Sequence, residues 1–378
     1  MSSIGFKVCQ LTNRSLINIA GRDAFSYVQT FTTCDVRQAA PAVYGLMVNA
    51  AGKTMADLMC YVINGNPTDR QLALTAVAHQ RFGIDGEPSD SLILECDSKL
   101  AEPVRKTFFT YKIRRQVTIA HAPEFKLFSL IPDVNSISEL VQRPLSTIEE
   151  IKSDDLIITR DPRIGPISYR ILSRLGHDSA ESLIPLLSHL TSSSIKETNL
   201  LDYHLFRYKL GIAEGMNDYR PYSISPLDLN VDYMNGYSLT KGQFIGKDQS
   251  SRRKLRDLTR LRLMPVEILL PLPKVKNINF AFATHIVNRE GGFIGQFLSR
   301  KQTYGLALIN LNRAIRCNFD LYHKQSGAKL SIRLPFWWPR ETLLECFSRK
   351  QDVLPSPSLT KIGDGTSQEK NYSSTSSK

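Results

Sequence analysis

The chain has 378 residues, 42% hydrophobic and 22% charged, with a formal net charge of +12. That length exceeds what a single core fills efficiently, so two or three compact domains are expected, and the absence of any apolar run near ~18 residues predicts no transmembrane segment. The positive balance favours anionic neighbours without pointing to nucleic acid, and six dispersed cysteines with no C-x-x-C pair exclude a dense disulfide scaffold and read as reduced intracellular thiols.

From the N-terminus, the first 22 residues lack Asp and Glu and carry Lys7, Arg14 and Arg22, a composition that fits a short targeting segment over 1–13 and equally a simple polar N-terminus. LINIAG at 16–21 predicts a strand, and Asp23 opens a helix with Phe25, Val28 and Phe31 on one face. AVYGLMV and TMADLMCYVI, separated by the turn cluster Asn49 to Lys53, predict a hairpin. QLALTAVA at 71–78 and SLILECDS at 91–98 repeat the strand pattern, and Leu100, Val104 and Phe108 space as a helix face before the strand VTIA. This is an α+β arrangement rather than a doubly wound sheet. Residues 135–157 turn polar and read as an insert; DLIITRDPRIGPISYRIL then restores ordered pattern. A helix through LLDYHLFRYKL stops at Gly211, with His204 read as a packed or surface helix histidine. After a basic segment, RRKLRDLTRLRLMP, read as a solvated linker or docking edge, short strands with glycine turns predict a separate β-barrel domain over 257–345. The remainder, 346–378, is rich in Ser, Thr, Pro and Lys and is expected to be disordered.

Two glycine motifs invite a nucleotide reading. A P-loop needs four residues between its first glycine and Gly-Lys-Ser/Thr. Gly242, Gly246, Lys247 and Asp248 leave three, with Asp where the hydroxyl belongs; AGKT at 51–54 has Met47 where the first glycine should stand. Both are near misses. No H-E-x-x-H, zinc-spaced Cys/His cluster or G-x-S-x-G is present, so no catalytic or metal-binding residue is assigned.

The stretch DLNVDYMNGYSLTKGQFIGKDQSSR resembles the signature of the YgfZ/GcvT family of folate-binding, aminomethyltransferase-like proteins, approximately K-G-C-Y-x-G-Q-E followed by arginine. Lys241, Gly242, Phe244, Gly246, Asp248 and Arg252 hold or conservatively replace that pattern, and Gln243 stands in place of the cysteine. LECDSKLAEPVRKTFFTYKIRRQVTI, DPRIGPISYRIL, YHLFRYKLGIAEG and PFWWP are similar to the mitochondrial iron-sulfur cluster assembly branch, so the likeness runs from about 14 to 340.

The resemblance implies a GcvT-like region over 14–256, with antiparallel-sheet α/β domains around a central channel that accepts tetrahydrofolate, followed by the barrel. It further implies a matrix protein acting late in [4Fe-4S] assembly, monomeric or in a hetero-complex with A-type scaffold proteins, with a cluster held only transiently alongside a partner. Asp228 matches the acid placed for the pterin, where a turn after Pro226 is the plain structural reading; Asn49 and Asp57 match channel-facing positions more loosely, and Arg252 completes the cofactor set. Glutamine at 243 offers neither a soft ligand nor a nucleophile, so the loop is expected to serve shape and docking. Two readings stay open beside this one: a tetrahydrofolate-dependent aminomethyl or one-carbon transferase, and a degenerate partner-binding paralogue.

Overall fold

The computed structural model describes residues 4–38, 40–64, 91–134, 136–142, 148, 150–153, 156–165, 167–174, 179–255, 261–270, 274, 280–344 and 346. Two sheets and a barrel divide the strands. The first sheet takes β2 (Arg14–Ala20), β3 (Ala42–Val48), β4 (Thr54–Asn64), β5 (Ser91–Asp97) and β6 (Thr118–His121) in the order β3-β4-β5-β2-β6, all antiparallel.

Alternation along these strands distributes their side chains between two interiors. Tyr44, Leu46, Val48, Met59, Tyr61 and Ile93 face a central core, whereas Val43, Met47, Leu58, Cys60, Leu92 and Leu94 face α1 (Ala24–Gln29) and α2 (Ala101–Thr110). Burial on both faces explains why these strands read as continuous apolar runs. The helix face of Leu100, Val104 and Phe108 packs as its spacing predicts.

The second sheet has the order β11-β1-β7-β10-β9-β8, using β1 (Phe6–Gln10), β7 (Lys126–Pro132), β8 (Ile151–Lys152), β9 (Leu156–Arg160), β10 (Tyr169–Ser173) and β11 (Ile195–Glu197). Both the 1–13 segment and the polar stretch 135–157 carry strands of this sheet. The 1–13 segment contains β1, which pairs with β7 on one side and runs parallel to β11 on the other, with Phe6 and Val8 fully buried. It therefore contributes a core strand to the fold. The polar stretch 135–157 likewise supplies α3 (Ile137–Gln142), β8 and the start of β9 at the edge of the sheet. The opposite face is covered by α4 (Ala180–Thr191), whose N-cap Ser179 accepts from Ser182 N.

Helix α5 (Leu200–Leu210) joins the three units. Asn199 caps it by accepting from Asp202 N at 3.1 Å, and Gly211 ends it at φ +76°, where an added Cβ would stand 2.7 Å from Pro265 Cδ. Only glycine suits both the left-handed turn and that contact. Beyond α6 (Lys247–Leu255), six strands close into a barrel in the order β12-β15-β14-β13-β16-β17: β12 (Leu261–Ile268), β13 (Thr284–Asn288), β14 (Phe293–Lys301), β15 (Tyr304–Asn310), β16 (Leu321–His323) and β17 (Lys329–Ile332). Helix α7 (Leu311–Arg316) and Trp338 pack against its core.

Arg262, which the sequence assigned to a solvated basic segment, is buried on β12. It pairs with Asp232 at 2.8 Å, donates to the Leu227 carbonyl at 2.8 Å and lies 4.0 Å from the centre of the Tyr233 ring. A basic run in the sequence thus conceals one cation whose partners come from a different part of the chain. The strand expected at 71–78 and the tail from 347 lie outside the described residues.

Candidate functional site

The loop 236–246 lies along residues 30–34, which follow α1. Ser238 N donates to the Thr33 carbonyl at 2.9 Å, Ile245 N to the Thr30 carbonyl at 3.1 Å, and Thr33 Oγ1 to the Gly236 carbonyl at 2.6 Å. Lys241 turns inward. Its Nζ donates to the carbonyls of Thr32 and Cys34, the latter at 2.6 Å, and stands 5.0 Å from the centre of the buried Phe244 ring. Burial lowers the Lys241 pKa to about 8. Cys34 and Cys60 are buried just beneath: the hydrogen bond from Cys60, with Lys241 nearby, makes Cys34 the more acidic of the pair.

The glycines answer the nucleotide question. Gly242 adopts φ +96°, and Lys247 Nζ closes over it by donating to its carbonyl at 2.7 Å. At Gly246, φ is +77° and an added Cβ would stand 2.3 Å from the Asn49 carbonyl oxygen and 3.2 Å from Gly52 Cα. The two near-miss phosphate motifs are therefore packed against each other, the 49–53 turn under the start of α6. Their glycines permit close backbone approach, and Lys241 and Phe244 fill the loop's interior. Gly242 and Gln243 remain exposed at its tip.

Two of the four residues proposed for folate have side chains bound within the protein. Asn49 Oδ1 accepts from Lys53 N at 2.9 Å within its own turn. Asp57 is held by Arg14 at 2.9 Å, by Tyr219 OH at 2.8 Å and by Gly215 N at 2.9 Å. Asp228 is buried in the first turn of a 3-10 helix, Pro226–Leu229, and Arg252 is exposed on α6. Cavities of about 450 and 270 Å³ lie elsewhere, the first around Leu11, Arg14 and Phe125 and the second around Tyr44, Arg160 and Met234, and none of the four residues lines either.

Between the three units lies a buried charged hub that sequence reasoning missed. Arg14 meets Asp57 and Glu95 at 2.9 and 2.8 Å; Arg163 meets Asp161 and Glu214 at 2.7 and 2.9 Å; Arg170 meets Glu214 at 2.9 Å; Arg207 meets Asp218 at 2.6 Å. Longer approaches of 3.5 to 3.8 Å join Arg170 to Asp161 and Glu95, and Arg207 to Glu214. Those act through charge rather than as hydrogen bonds.

Tyr203 OH donates to Glu214 at 2.6 Å, and Tyr208 OH ties Asp218 to Ser299 of the barrel. Burial opposes the charge on Glu214, but Arg14, Arg207, Arg170 and Arg163 overcome it and hold the carboxyl well below its ordinary pKa. His204 accompanies this hub: burial and then Arg207, which donates to its Nδ1 at 2.8 Å, lower its pKa to about 4. The available signals were the stretches DPRIG and GIAEG, whose charges lie inside otherwise apolar runs. With its ions paired to one another, the hub is suited to fixing the three units together.

Comparison with known proteins places this geometry. Residues 260–340 match the family described as CAF17, C-terminal beta-barrel domain. The iron-sulfur cluster assembly factor IBA57, mitochondrial, of Mus musculus is 30% identical over 343 residues, covering 87% of this chain and 85% of the mouse protein. The chain belongs to the IBA57 family. The IBA57 protein of Homo sapiens is 26% identical with the same coverage, and the Dictyostelium discoideum homologue is 26% identical over 68% of this chain. These IBA57 relatives are named mitochondrial, and the chain takes that localisation. Glycine cleavage system aminomethyltransferase T from Bartonella henselae shares the fold, with a TM-score of 0.61 at 14% identity over 89% of this chain and 87% of that one. The expected α+β, GcvT-like architecture with a C-terminal barrel is thus the observed one.

Proposed function

We propose that this chain is an accessory factor for mitochondrial iron-sulfur protein maturation, assisting late [4Fe-4S] assembly in the matrix by docking an A-type scaffold protein, with no thiolate supplied from the signature loop. The observation that carries this reading is the loop itself. Lys241, Gly242, Phe244 and Gly246 build a fixed turn on residues 30–34 and 49–53, yet its exposed tip bears Gln243. An amide side chain is a weak, hard donor and a poor iron ligand, so what the tip retains is shape.

Tetrahydrofolate-dependent one-carbon transfer is the second reading, and the transferase fold is what supports it. Its residues would be Asp228, Asn49, Asp57 and Arg252, of which Asp57 is already bound by Arg14, Tyr219 and Gly215. Titration calorimetry separates the two: tetrahydrofolate binding abolished by Asp228→Ala would restore the transferase reading. The leading reading is tested in cells depleted of this protein, by aconitase activity and protein lipoylation. It predicts that both fall and that the native chain restores them; unchanged levels on depletion would overturn it and favour a degenerate partner-binding paralogue.

A further inference from the structure

The end of α2 and the turn that follows it carry three large apolar side chains in five residues, each largely in solvent: Phe109 is 64% exposed, Tyr111 54% and Ile113 74%. Single exposed hydrophobic residues are ordinary, whereas a cluster marks a contact surface. The same stretch is basic. Between Pro103 and Ala120 stand Arg105, Lys106, Lys112, Arg114 and Arg115 with no Asp or Glu. Arg105 is paired with Glu102 at 2.9 Å; among the described residues no carboxylate pairs with the other four.

The turn is also held in place. Arg114 adopts φ +57°, a conformation that L side chains avoid, and the chain around it is pinned by Arg115 N donating to the Lys112 carbonyl at 2.8 Å and Gln116 N to Asp23 Oδ2 at 2.8 Å. A fixed turn loses little freedom on binding. Moreover, this surface adjoins the signature loop. The Tyr111 ring stands 5.9 Å from that of Phe31, and the carbonyl of the preceding Thr30 accepts from Ile245 N at 3.1 Å. The loop that lies along residues 30–34 exposes Leu239, Gly242 and Gln243.

We infer that the 109–115 turn and the exposed lip of the signature loop form one docking surface, whose occupant is a protein with an acidic rim around an apolar recess. Phe109, Tyr111 and Ile113 enter the recess, Lys106, Lys112 and Arg114 face the rim, and the Gln243 tip lies beside the partner's working edge. Aromatic anchors ringed by cations are the composition of binding hot spots. Such a surface would also suit an anionic bilayer, but continuity with the signature loop favours a protein. This inference rests on the docking reading of that loop and names where the partner sits.

The test uses the full chain and an A-type scaffold protein, with affinity followed by calorimetry at low and high salt. Phe109→Ser with Ile113→Ser forms one variant, Lys106→Glu with Lys112→Glu another, and thermal melting checks that both remain folded. The native chain should bind, more weakly as salt rises, and each folded double variant should lose at least ~10-fold in affinity, the range expected for a hot-spot pair. Native binding that both variants retain would overturn this surface while leaving the docking reading intact. No binding by the native chain would overturn both. Flotation on cardiolipin-containing vesicles, lost in the variants while scaffold binding persists, would assign the surface to the membrane and contradict the inference.

Discussion

Glu214→Gln tests whether the buried hub holds the three units together. The carboxylate approaches Arg163 and Arg170 at 2.9 Å and Arg207 at 3.8 Å, and accepts from Tyr203 OH at 2.6 Å. Removing one partner of a buried ion pair costs about 3–5 kcal/mol because the remaining charge is left in a poorly solvating interior. Two effects reduce that figure: glutamine keeps one acceptor oxygen, and the hub holds one more carboxylate (Asp57, Glu95, Asp161, Glu214, Asp218) than arginine (Arg14, Arg163, Arg170, Arg207). A loss of about 3 kcal/mol at pH 7 follows, or roughly 6–12 °C in melting temperature for a unit of about 150–250 residues.

The pH dependence has a defined sign. Because the folded-state pKa of Glu214 is depressed, its contribution is complete above the unfolded carboxyl pKa of about 4.3 and disappears as pH falls through the lower folded value. The gap between native and variant should therefore be equal at pH 7 and 5.5 and narrow below about pH 4. Calorimetric and denaturant unfolding at these pH values measure it. A gap under about 1 kcal/mol at pH 7, the scale of a surface pair, or one that widens on acidification, would refute the ionic account of the hub.

Gly246→Ala should destabilise by about 3 kcal/mol, combining a left-handed backbone penalty with a Cβ placed 2.3 Å from the Asn49 carbonyl, as read by thermal melting; a neutral effect would mean that the loop and hairpin do not pack this closely. Arg262→Ala should cost a similar ~3 kcal/mol in the barrel's unfolding by leaving Asp232 buried without its cation, while Arg252→Ala on the exposed face of α6 should cost under ~0.5. His204, with a folded pKa lowered to about 4, should remain neutral in an NMR titration at pH 5, and its contribution to stability should erode as pH falls from about 6.5 toward that value; a midpoint near 6.5 would contradict its burial against Arg207.

The strands and helices of the first sheet were legible because their pattern is local: the turn at 49–53 and the spacing of Leu100, Val104 and Phe108 need no distant partner. β1 was not, since it is held by residues 126–132 and 195–197, which a targeting-like composition gives no reason to suspect. The hub escaped for a related reason. Arg14, Asp57 and Glu95 occupy strand positions that would ordinarily face water, and only the meeting of two sheets with α5 encloses them. In the signature loop, Lys241 and the glycines could be picked out as a motif, but their contacts are tertiary: Lys241 binds carbonyls of residues 32 and 34, and Gly246 meets the 49–53 turn. Spacing likewise could not reveal that Asp57 is bound by Arg14, Tyr219 and Gly215.

The central claim is that the signature loop acts through a shape held by Lys241 and not through a ligand at position 243. The most direct measurement is protein lipoylation in depleted cells re-expressing the native chain, Gln243→Ala or Lys241→Met at matched levels. Gln243→Ala should restore lipoylation as fully as the native chain, and Lys241→Met, which leaves the carbonyls of Thr32 and Cys34 without their donor, should fail or restore only part of it. A stable Gln243→Ala protein that fails to restore lipoylation would show that the tip residue itself takes part, contradicting the account.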